Sequence, residues 1–172
     1  MEIRTQRLVL RPVEIADLES THAYASDLEN TKYMMFLPYA SFEETRAAIE
    51  KAIDEWKKPE PDFWEFAVVF GGVHIGGMTL YFVGDRTEVE LGWVLDKRYW
   101  RRGLVTEAAQ ALAEYARDKL GAKRVFACCD EENAASRRVM EKLGMRLAEK
   151  GTRTNRSTGD MIHTELVYEI LF

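Results

Sequence analysis

The sequence predicts a mixed α/β fold, and two stretches carry this prediction. Residues 63–95 have the pattern of three strands joined by Gly71-Gly72 and Gly84-Asp85, short connections that favour antiparallel pairing. Residues 87–129 follow the order strand, long helix, strand, a crossover that pairs its two strands in parallel. With the remaining helical patterns, they predict a central mixed sheet, mostly antiparallel, with one parallel pair and about four flanking helices.

The chain has 172 residues, enough for a single domain over residues 1–172. Its composition, 47% hydrophobic and 31% charged, is typical of a folded protein. The stretch Phe66–Gly84 carries no charge if His74 is neutral, and it approaches the length of a membrane span. Its glycine pairs favour tight turns, so we interpret the stretch as a hairpin and expect no membrane partner.

The formal net charge of −5 argues against nucleic acid as the main partner, because phosphate binding needs a dominantly basic surface. An acidic protein suits a cationic substrate, although acidity that serves solubility alone explains the charge more simply. Cys128 and Cys129 are adjacent, so a disulfide between them would be strained. No apolar segment follows Met1–Arg4, so nothing there predicts secretion. This absence and the adjacent cysteines both indicate the reducing cytoplasm.

The first elements are a short strand, Leu8–Arg11, closed by Pro12, and a helix with apolar positions near helical spacing. Those positions are Ile15, Leu18, His22 and Ala25, which places His22 towards the core. Ser41 and Glu44 form a capping box for a second helix that ends near Pro59.

Between these helices, Lys32–Tyr39 has too many bulky apolar side chains to lie free in water. The segment covers either the core or a pocket. Aromatic and methionine clusters more often serve packing, so we expect a core segment.

The three consecutive strands are Phe63–Phe70, Val73–Phe82 and Thr87–Leu95. In the third strand, apolar residues alternate with Glu88 and Glu90, so the two carboxylates face one way.

The crossover helix has an apolar stripe and ends at Gly121, a residue suited to a left-handed C-cap. The stripe consists of Val105, Ala108, Ala109, Leu112, Ala116 and Leu120. Val125–Cys129 is the strand that follows. Asn133 caps a shorter helix running to Gly144, and Met161–Leu171 is the closing strand.

The basic segment Lys97–Glu107 lies where a strand meets the long helix. A helix N-terminus offers unpaired N–H groups and partial positive charge, so it suits a diphosphate, and Arg101 and Arg102 add charge. Gly103 allows close approach to the backbone. The alternative is an ordinary basic patch before a helix. The two commoner phosphate-loop motifs are absent, which disfavours simple ATPase and dinucleotide-binding functions.

Three motifs together resemble one family: Glu90–Trp93, Tyr99–Ala108 and Asn133–Gly144, in that order. The chain resembles the GNAT superfamily of N-acetyltransferases. The Trp before the basic loop, the Thr-Glu-Ala after it, the Asn-x-x-Ser helix and the opening Thr5–Pro12 are similar to one branch. That branch contains the ribosomal-protein alanine and serine N-terminal acetyltransferases, the RimJ/RimL-like enzymes. The resemblance spans nearly the whole chain.

The resemblance implies acetyl-coenzyme A as the cofactor and places the parallel strand pair at its cleft. It assigns the pyrophosphate to the backbone amides of Arg101, Arg102, Gly103, Leu104, Val105 and Thr106. It assigns the pantetheine arm to Trp93, Val94 and Leu95, and further cofactor contacts to Asn133 and Ser136. Two positions depart from the superfamily pattern. Val105 stands where Gly or Ala is usual, and Met140 stands where many members carry a tyrosine proposed to protonate the thiolate.

Acetyl transfer to an amine needs a neutral amine, an oriented carbonyl and a stabilised thiolate. We predict that Glu90 is the base and acts through a water, with Glu88 as the alternative. Glu90 could equally be an exposed strand carboxylate or a group that binds the substrate. Ser136 is the candidate acid, unless it bonds only to local backbone. The backbone N–H of Trp93 is the candidate for polarising the carbonyl.

We expect the acceptor to be a protein or peptide N-terminal α-amine. A small amine (a polyamine, aminoglycoside or amino acid derivative) and a non-catalytic acetyl-coenzyme A sensor remain open. The deciding residues are Met34–Tyr39, Trp56, Trp64 and Thr152–Asp160, where an open groove would suit a peptide and a closed acidic or aromatic pocket a small cation. Exposed aromatic residues there leave a homodimer open. The histidines are isolated, so no metal site is predicted.

Overall fold

A computed structural model describes residues 1–172 and contains one eight-stranded sheet in the order β1-β2-β3-β4-β5-β6-β8-β7. The strands are β1 (Ile3–Arg4), β2 (Leu8–Pro12), β3 (Phe63–Phe70), β4 (Val73–Val83), β5 (Glu88–Leu95), β6 (Arg124–Asp130), β7 (Arg146–Thr154) and β8 (Ile162–Leu171). The helices are α1 (Leu18–Ala25), α2 (Phe42–Glu55), α3 (Leu104–Leu120) and α4 (Ala134–Lys142). Neighbouring strands are antiparallel except β5 and β6, which are parallel. The predicted mixed α/β class, with four flanking helices, is confirmed.

The turns form where glycine supplies a backbone that other residues avoid. Gly71 and Gly72 join β3 to β4 with φ values of 57° and 81°, and Gly121 ends α3 with φ of 71°. Positive φ costs a residue with a Cβ roughly 1–2 kcal/mol, so these positions set where the elements end. The predicted hairpin and the predicted left-handed C-cap are both confirmed.

The sheet has helices on both faces. Leu80, Val89, Leu91 and Val125 point to one face, where they pack with the apolar stripe of α3 in the main core. The alternate strand positions point to the other face, where Val13 packs with residues of α2 in a smaller cluster. The second face is therefore less completely filled, and the cavity described below lies there.

Two strands escaped the sequence reasoning. β7 is an edge strand in which most residues are exposed, so it lacks the apolar alternation that marks a half-buried strand. The residues from Thr152 were expected in a loop, but β7 extends to Thr154 and pairs with β8. β1 is only two residues long and pairs with β2.

The first two helices differ from the predictions in detail. The inward side of α1 carries Thr21, Tyr24 and Ala25. His22 is half-buried beside α2: its ring lies 4.0 Å from the Phe42 ring and its Nδ1 is 2.8 Å from the Thr45 hydroxyl. The expectation that His22 faces the core was wrong, because α1 is oriented with Thr21, Tyr24 and Ala25 inward.

The predicted capping box at α2 is only half formed. Ser41 accepts a hydrogen bond from the Glu44 N–H, but the Glu44 carboxylate accepts from the Ala40 N–H and pairs with Arg156. α2 ends at Glu55 rather than near Pro59. The Glu55 carboxylate accepts from Lys58 and from the backbone of Asp62, which turns the chain towards β3.

No helix has both the length and the apolar character needed to cross a bilayer. No group of three or more His, Cys, Asp or Glu side chains is arranged to hold a metal ion. Cys128 and Cys129 are both free thiols.

Candidate active site

The two parallel strands separate in the middle of the sheet. β5 and β6 pair only where Glu88–Glu90 meets Arg124–Phe126. Beyond Glu90, β5 continues to pair with β4 and has no strand on its other side. A gap therefore opens between β5 and β6.

The backbone of β5 presents polar groups to this gap. The Asp96 N–H bonds to the Ile75 carbonyl of β4, so by strand alternation the N–H and C=O groups of Trp93 and Leu95 point away from β4. The Leu95 carbonyl already accepts from the side chains of Asn30 and Trp100. Trp93 therefore offers both backbone groups to a ligand in the gap. The backbone N–H and C=O of Val94 point to β4, while the Val94 side chain lines the cavity.

A run of free backbone N–H groups precedes and opens α3. Arg101 and Gly103 both have positive φ, 61° and 74°. From Arg101 to Thr106, including Arg102, Leu104 and Val105, no N–H is bonded to another group of the chain; the first bonded one in α3 is Glu107, to the Gly103 carbonyl. Alternating backbone conformations with converging N–H groups form an anion-binding nest, and the helix adds its positive end.

The side chains around this loop leave its positive charge available. Arg101 and Arg102 are exposed, and neither forms an ion pair with a carboxylate. Arg102 lies over the Tyr99 ring at 5.4 Å. The loop thus suits a diphosphate by backbone geometry and by charge.

Glu107 holds the start of α3 against the N-terminal segment. Its carboxylate accepts hydrogen bonds from the Thr5 hydroxyl, the Arg7 N–H and the Arg7 side chain, at 2.5, 2.8 and 2.6 Å. The Arg7 guanidinium also donates to the Arg102 carbonyl. Glu107, in the first turn of α3, therefore ties the helix start and the loop before it to the N-terminal segment.

Asn133 and Ser136 lie at the start of α4. Asn133 is the N-cap and accepts from the Ser136 N–H at 3.1 Å. The Ser136 hydroxyl accepts from the Trp93 indole at 3.2 Å, and it donates to no group of the chain. Two departures from the superfamily pattern are also clear: Met140 is fully buried in the main core, and Val105 is packed against it with its N–H free.

On the opposite face of the sheet, a cavity of about 820 Å³ reaches the gap. Its walls are mostly apolar, and three carboxylates line it: Glu65, Glu90 and Glu165. Residues of the segment Lys32–Tyr39 form part of the wall, and Phe36 is 70% exposed. The expectation that this segment belongs to the core was wrong, because the cavity lies between it and the sheet.

Glu90 lies at the point where the gap meets the cavity. Burial raises the pKa of Glu90 above its ordinary value, while a hydrogen bond with the Cys128 thiol opposes the rise. Burial and the nearby Glu90 charge raise the pKa of Cys128, so the thiol stays protonated. Glu88 instead forms an ion pair with Arg124 at 2.7 Å and does not line the cavity. Ser136 does not line it either.

The acceptor side contains two carboxylates that sequence reasoning missed, Glu65 and Glu165. Arg153, within the predicted range Thr152–Asp160, lies 3.4 Å from Glu165, and all three line the cavity. A charged residue within the apolar strand Phe63–Phe70 was the one signal that could have identified Glu65. Conversely, Trp56 and Trp64 stack on each other with ring centres 4.9 Å apart and do not line the cavity. Their inclusion among the deciding residues was therefore wrong.

Comparison with known proteins identifies the class. Residues 7–146 match the family model described as acetyltransferase (GNAT) domain. The chain is 35% identical over 149 residues to an uncharacterized N-acetyltransferase, YnaD, of Bacillus subtilis, covering 85% of this chain and 83% of the relative. The protein belongs to the GNAT acetyltransferase family.

Solved structures agree with this assignment. A GNAT-family acetyltransferase from Bacillus anthracis is 31% identical and superposes with a TM-score of 0.85, covering 99% of this chain and 98% of the other. RimL, described as a ribosomal L7/L12 alpha-N-protein acetyltransferase in complex with coenzyme A, has the same fold at 18% identity, a TM-score of 0.85, and coverage of 100% and 98%. The protein is thus an N-acetyltransferase by family.

Proposed function

We propose that this protein transfers the acetyl group of acetyl-coenzyme A to a primary amine that enters the cavity beside Glu90. The observation that carries the proposal is the junction at Glu90. There a half-buried carboxylate in an acceptor-sized cavity meets a gap in the sheet, and the gap exposes the backbone of Trp93. Acetyl-coenzyme A is the acetyl donor of the family, and the free N–H groups of residues 101–106 support its binding here.

The cofactor residues have distinct proposed roles. The backbone amides of residues 101–106, with Arg101 and Arg102, bind the pyrophosphate. Trp93 bonds to the pantetheine arm with its backbone N–H and C=O and Leu95 with its N–H, while Val94 borders the arm with its side chain. The Trp93 N–H also orients the thioester carbonyl. Asn133 and Ser136 contact the cofactor from the start of α4.

The reaction then requires proton transfer at two places. A protonated amine is not nucleophilic, so Glu90 takes its proton, directly or through a water. The raised pKa of Glu90 brings its basicity closer to that needed near neutral pH. The amine nitrogen bonds to the acetyl carbon, the carbon–sulfur bond breaks, the nitrogen loses its second proton and the thiolate gains one. Ser136 is the proposed donor to the thiolate, because its hydroxyl proton is not engaged within the chain, and it is reprotonated through water by the proton that the nitrogen loses.

Two acceptor classes fit this chemistry. The motifs shared with ribosomal-protein acetyltransferases favour a peptide α-amine, the acceptor expected from the sequence. The carboxylates and tyrosines that line the cavity favour a small basic amine instead. The geometry thus supports the small amine best, with the peptide N-terminus as the second candidate. The free thiols suit the reducing cytoplasm, our proposed location.

The test is thiol release from acetyl-coenzyme A against N-terminal peptides, linear amines and aminoglycosides, with calorimetric titration of acetyl-coenzyme A alongside. Turnover that depends on one amine class supports the transferase and identifies its acceptor. Tight binding of acetyl-coenzyme A with no turnover on any amine would favour the sensor instead. Failure to bind acetyl-coenzyme A would refute the cofactor assignment itself.

A further inference from the structure

Glu65 stands apart from the other carboxylates of the cavity because no positively charged side chain acts on it. Glu165 is paired with Arg153, and the charge of Arg153 also acts on Glu90, which lies beside the Cys128 thiol. Glu65 accepts a single side-chain hydrogen bond, from the Thr79 hydroxyl to its Oε2, and no basic side chain contacts it. A half-buried carboxylate without a cation is costly, so its position calls for a positively charged partner from outside the chain.

The surroundings of Glu65 direct it into the cavity. The Glu65 side chain is half-buried and lines the cavity. Gly77 on β4 faces it, and a Cβ at that position would collide with Glu65 Oε1. The chain donates no hydrogen bond to Oε1, so this oxygen is free to accept one from a ligand in the cavity.

Aromatic side chains complete the surroundings. Tyr24 from α1, Tyr39 from the segment before α2, and Tyr81 from β4 all line the cavity. The Glu65 charge raises the pKa of each tyrosine, after burial as the larger cause, so all three are close to it. A carboxylate among aromatic rings is a setting that binds ammonium groups, by charge and by cation–π attraction.

The strand register sets the distance between Glu65 and Glu90. Glu65 pairs with Thr79, and Thr79 pairs with Gly92, two residues along β5 from Glu90. The two glutamates therefore point to the same face from strands two apart. With strands about 4.8 Å apart and a rise of about 3.4 Å per residue, their Cα atoms lie roughly 12 Å apart. One extended small molecule can reach both carboxylates.

We propose that Glu65 binds a second cationic nitrogen of the acceptor, so that the substrate class is a linear diamine or polyamine, with one amine at Glu65 and the other acetylated at Glu90. This proposal rests on the proposed transferase function and assigns its acceptor. It gives Glu65 a role in specificity, while the proton transfer remains with Glu90.

The experiment measures thiol release with linear α,ω-diamines of increasing chain length and with linear monoamines of the same lengths. Calorimetry follows diamine binding in the presence of coenzyme A. Wild type should prefer diamines, with an optimal chain length. Glu65→Gln should reduce the preference, the ratio of kcat/KM for diamine to monoamine, by about 10- to 100-fold, the effect of losing a charged hydrogen bond.

Two further variants test the geometry. Glu65→Asp keeps the charge but withdraws it by one methylene, so it should retain the preference and shift the optimum to a longer diamine, which a purely structural role would not do. Glu50→Gln, the same change on an exposed position of α2, should leave preference and optimum as in wild type.

The outcomes separate the two proposals. Equal use of monoamines and diamines by wild type, an unchanged preference in Glu65→Gln, or no diamine binding to the coenzyme A complex overturns the role of Glu65. In each of these cases, acetyl-coenzyme A turnover with another amine would still support the proposed transferase function. A peptide α-amine acetylated best, and equally well by Glu65→Gln, also overturns the diamine class. Loss of acetyl-coenzyme A binding in wild type overturns the proposed function itself.

Discussion

The cofactor side and the acceptor side of this protein are built in different ways. The proposed pyrophosphate site is one continuous run, residues 101–106, whose backbone N–H groups are free because a helix begins there. The acceptor cavity draws side chains from two helices and six strands that are distant in sequence, such as those of Tyr24, Glu65, Glu90 and Arg153. Backbone recognition is therefore local, whereas side-chain recognition depends on how the whole sheet is assembled.

This comparison implies that the two sides can be impaired separately, and the largest effect is expected at Glu90. Glu90→Gln removes the proposed base and should lower kcat by roughly 100-fold or more. The affinity for acetyl-coenzyme A should stay within about twofold, because Glu90 is not part of the backbone nest. Steady-state thiol release and calorimetric titration measure the two quantities.

The matched control is Glu88→Gln on the same face of β5, since Glu88 is paired with Arg124 outside the cavity. It should affect kcat only slightly. A parallel loss of turnover and cofactor affinity in Glu90→Gln would show that the two sides are not independent.

The next largest effect is expected on the unfolding free energy, because the charged form of Glu65 destabilises the folded protein. Burial raises the pKa of Glu65 to about 7, against about 4.3 in an unfolded chain. Because the folded-state pKa is the higher one, the stabilisation is complete at acidic pH and is lost as the pH rises through about 7. Between about pH 5 and pH 8, wild type should lose about 1–3 kcal/mol of unfolding free energy relative to Glu65→Gln.

Urea unfolding of both proteins at the two pH values measures this difference. Glu90 and Glu165 also have raised pKa values from burial, but both variants share them, so the comparison isolates Glu65. Glu50→Gln should follow wild type. If Glu65→Gln and wild type lose stability equally with pH, Glu65 is not held in an unfavourable charged state.

On the cofactor side, a smaller effect is expected from one glycine. Gly103→Ala places a Cβ at φ of 74° and should distort the nest, which weakens acetyl-coenzyme A binding about tenfold. Gly121→Ala makes the same change at φ of 71°, at the other end of the same helix. Both variants should lose similar thermal stability, but only Gly103→Ala should lose affinity by calorimetry. Equal affinity losses would argue against a local nest.

The smallest effect is expected at Ser136. Ser136→Ala should lower kcat about fivefold, because a thiolate with a parent pKa near that of cysteine, about 8.5, leaves with little help from an acid. Its affinity for acetyl-coenzyme A should change less than that of Gly103→Ala. Single-turnover measurement of thiol release tests this, and full wild-type turnover would show that no acid is needed at this position.

The sequence was most informative where a local pattern has a single structural solution. Gly121 predicted the end of α3, Asn133 predicted the N-cap of α4, and the strand–helix–strand order predicted the parallel pair. The pattern was uninformative at β7, whose side chains are mostly exposed, and it misplaced the segment Lys32–Tyr39. Apolar residues that wall a cavity and apolar residues that fill a core have the same composition.

By itself, the sequence determined the mixed fold, the family resemblance and the basic loop before α3, because each depends on residues close together in the chain. Only the tertiary structure separated Glu90 from Glu88, brought Glu65 into the same cavity and removed Trp56 and Trp64 from it. The physical reason is that burial, ion pairing and the facing of side chains across strands are set by non-local pairing. Strand register, rather than sequence spacing, decides which side chains meet in the acceptor cavity.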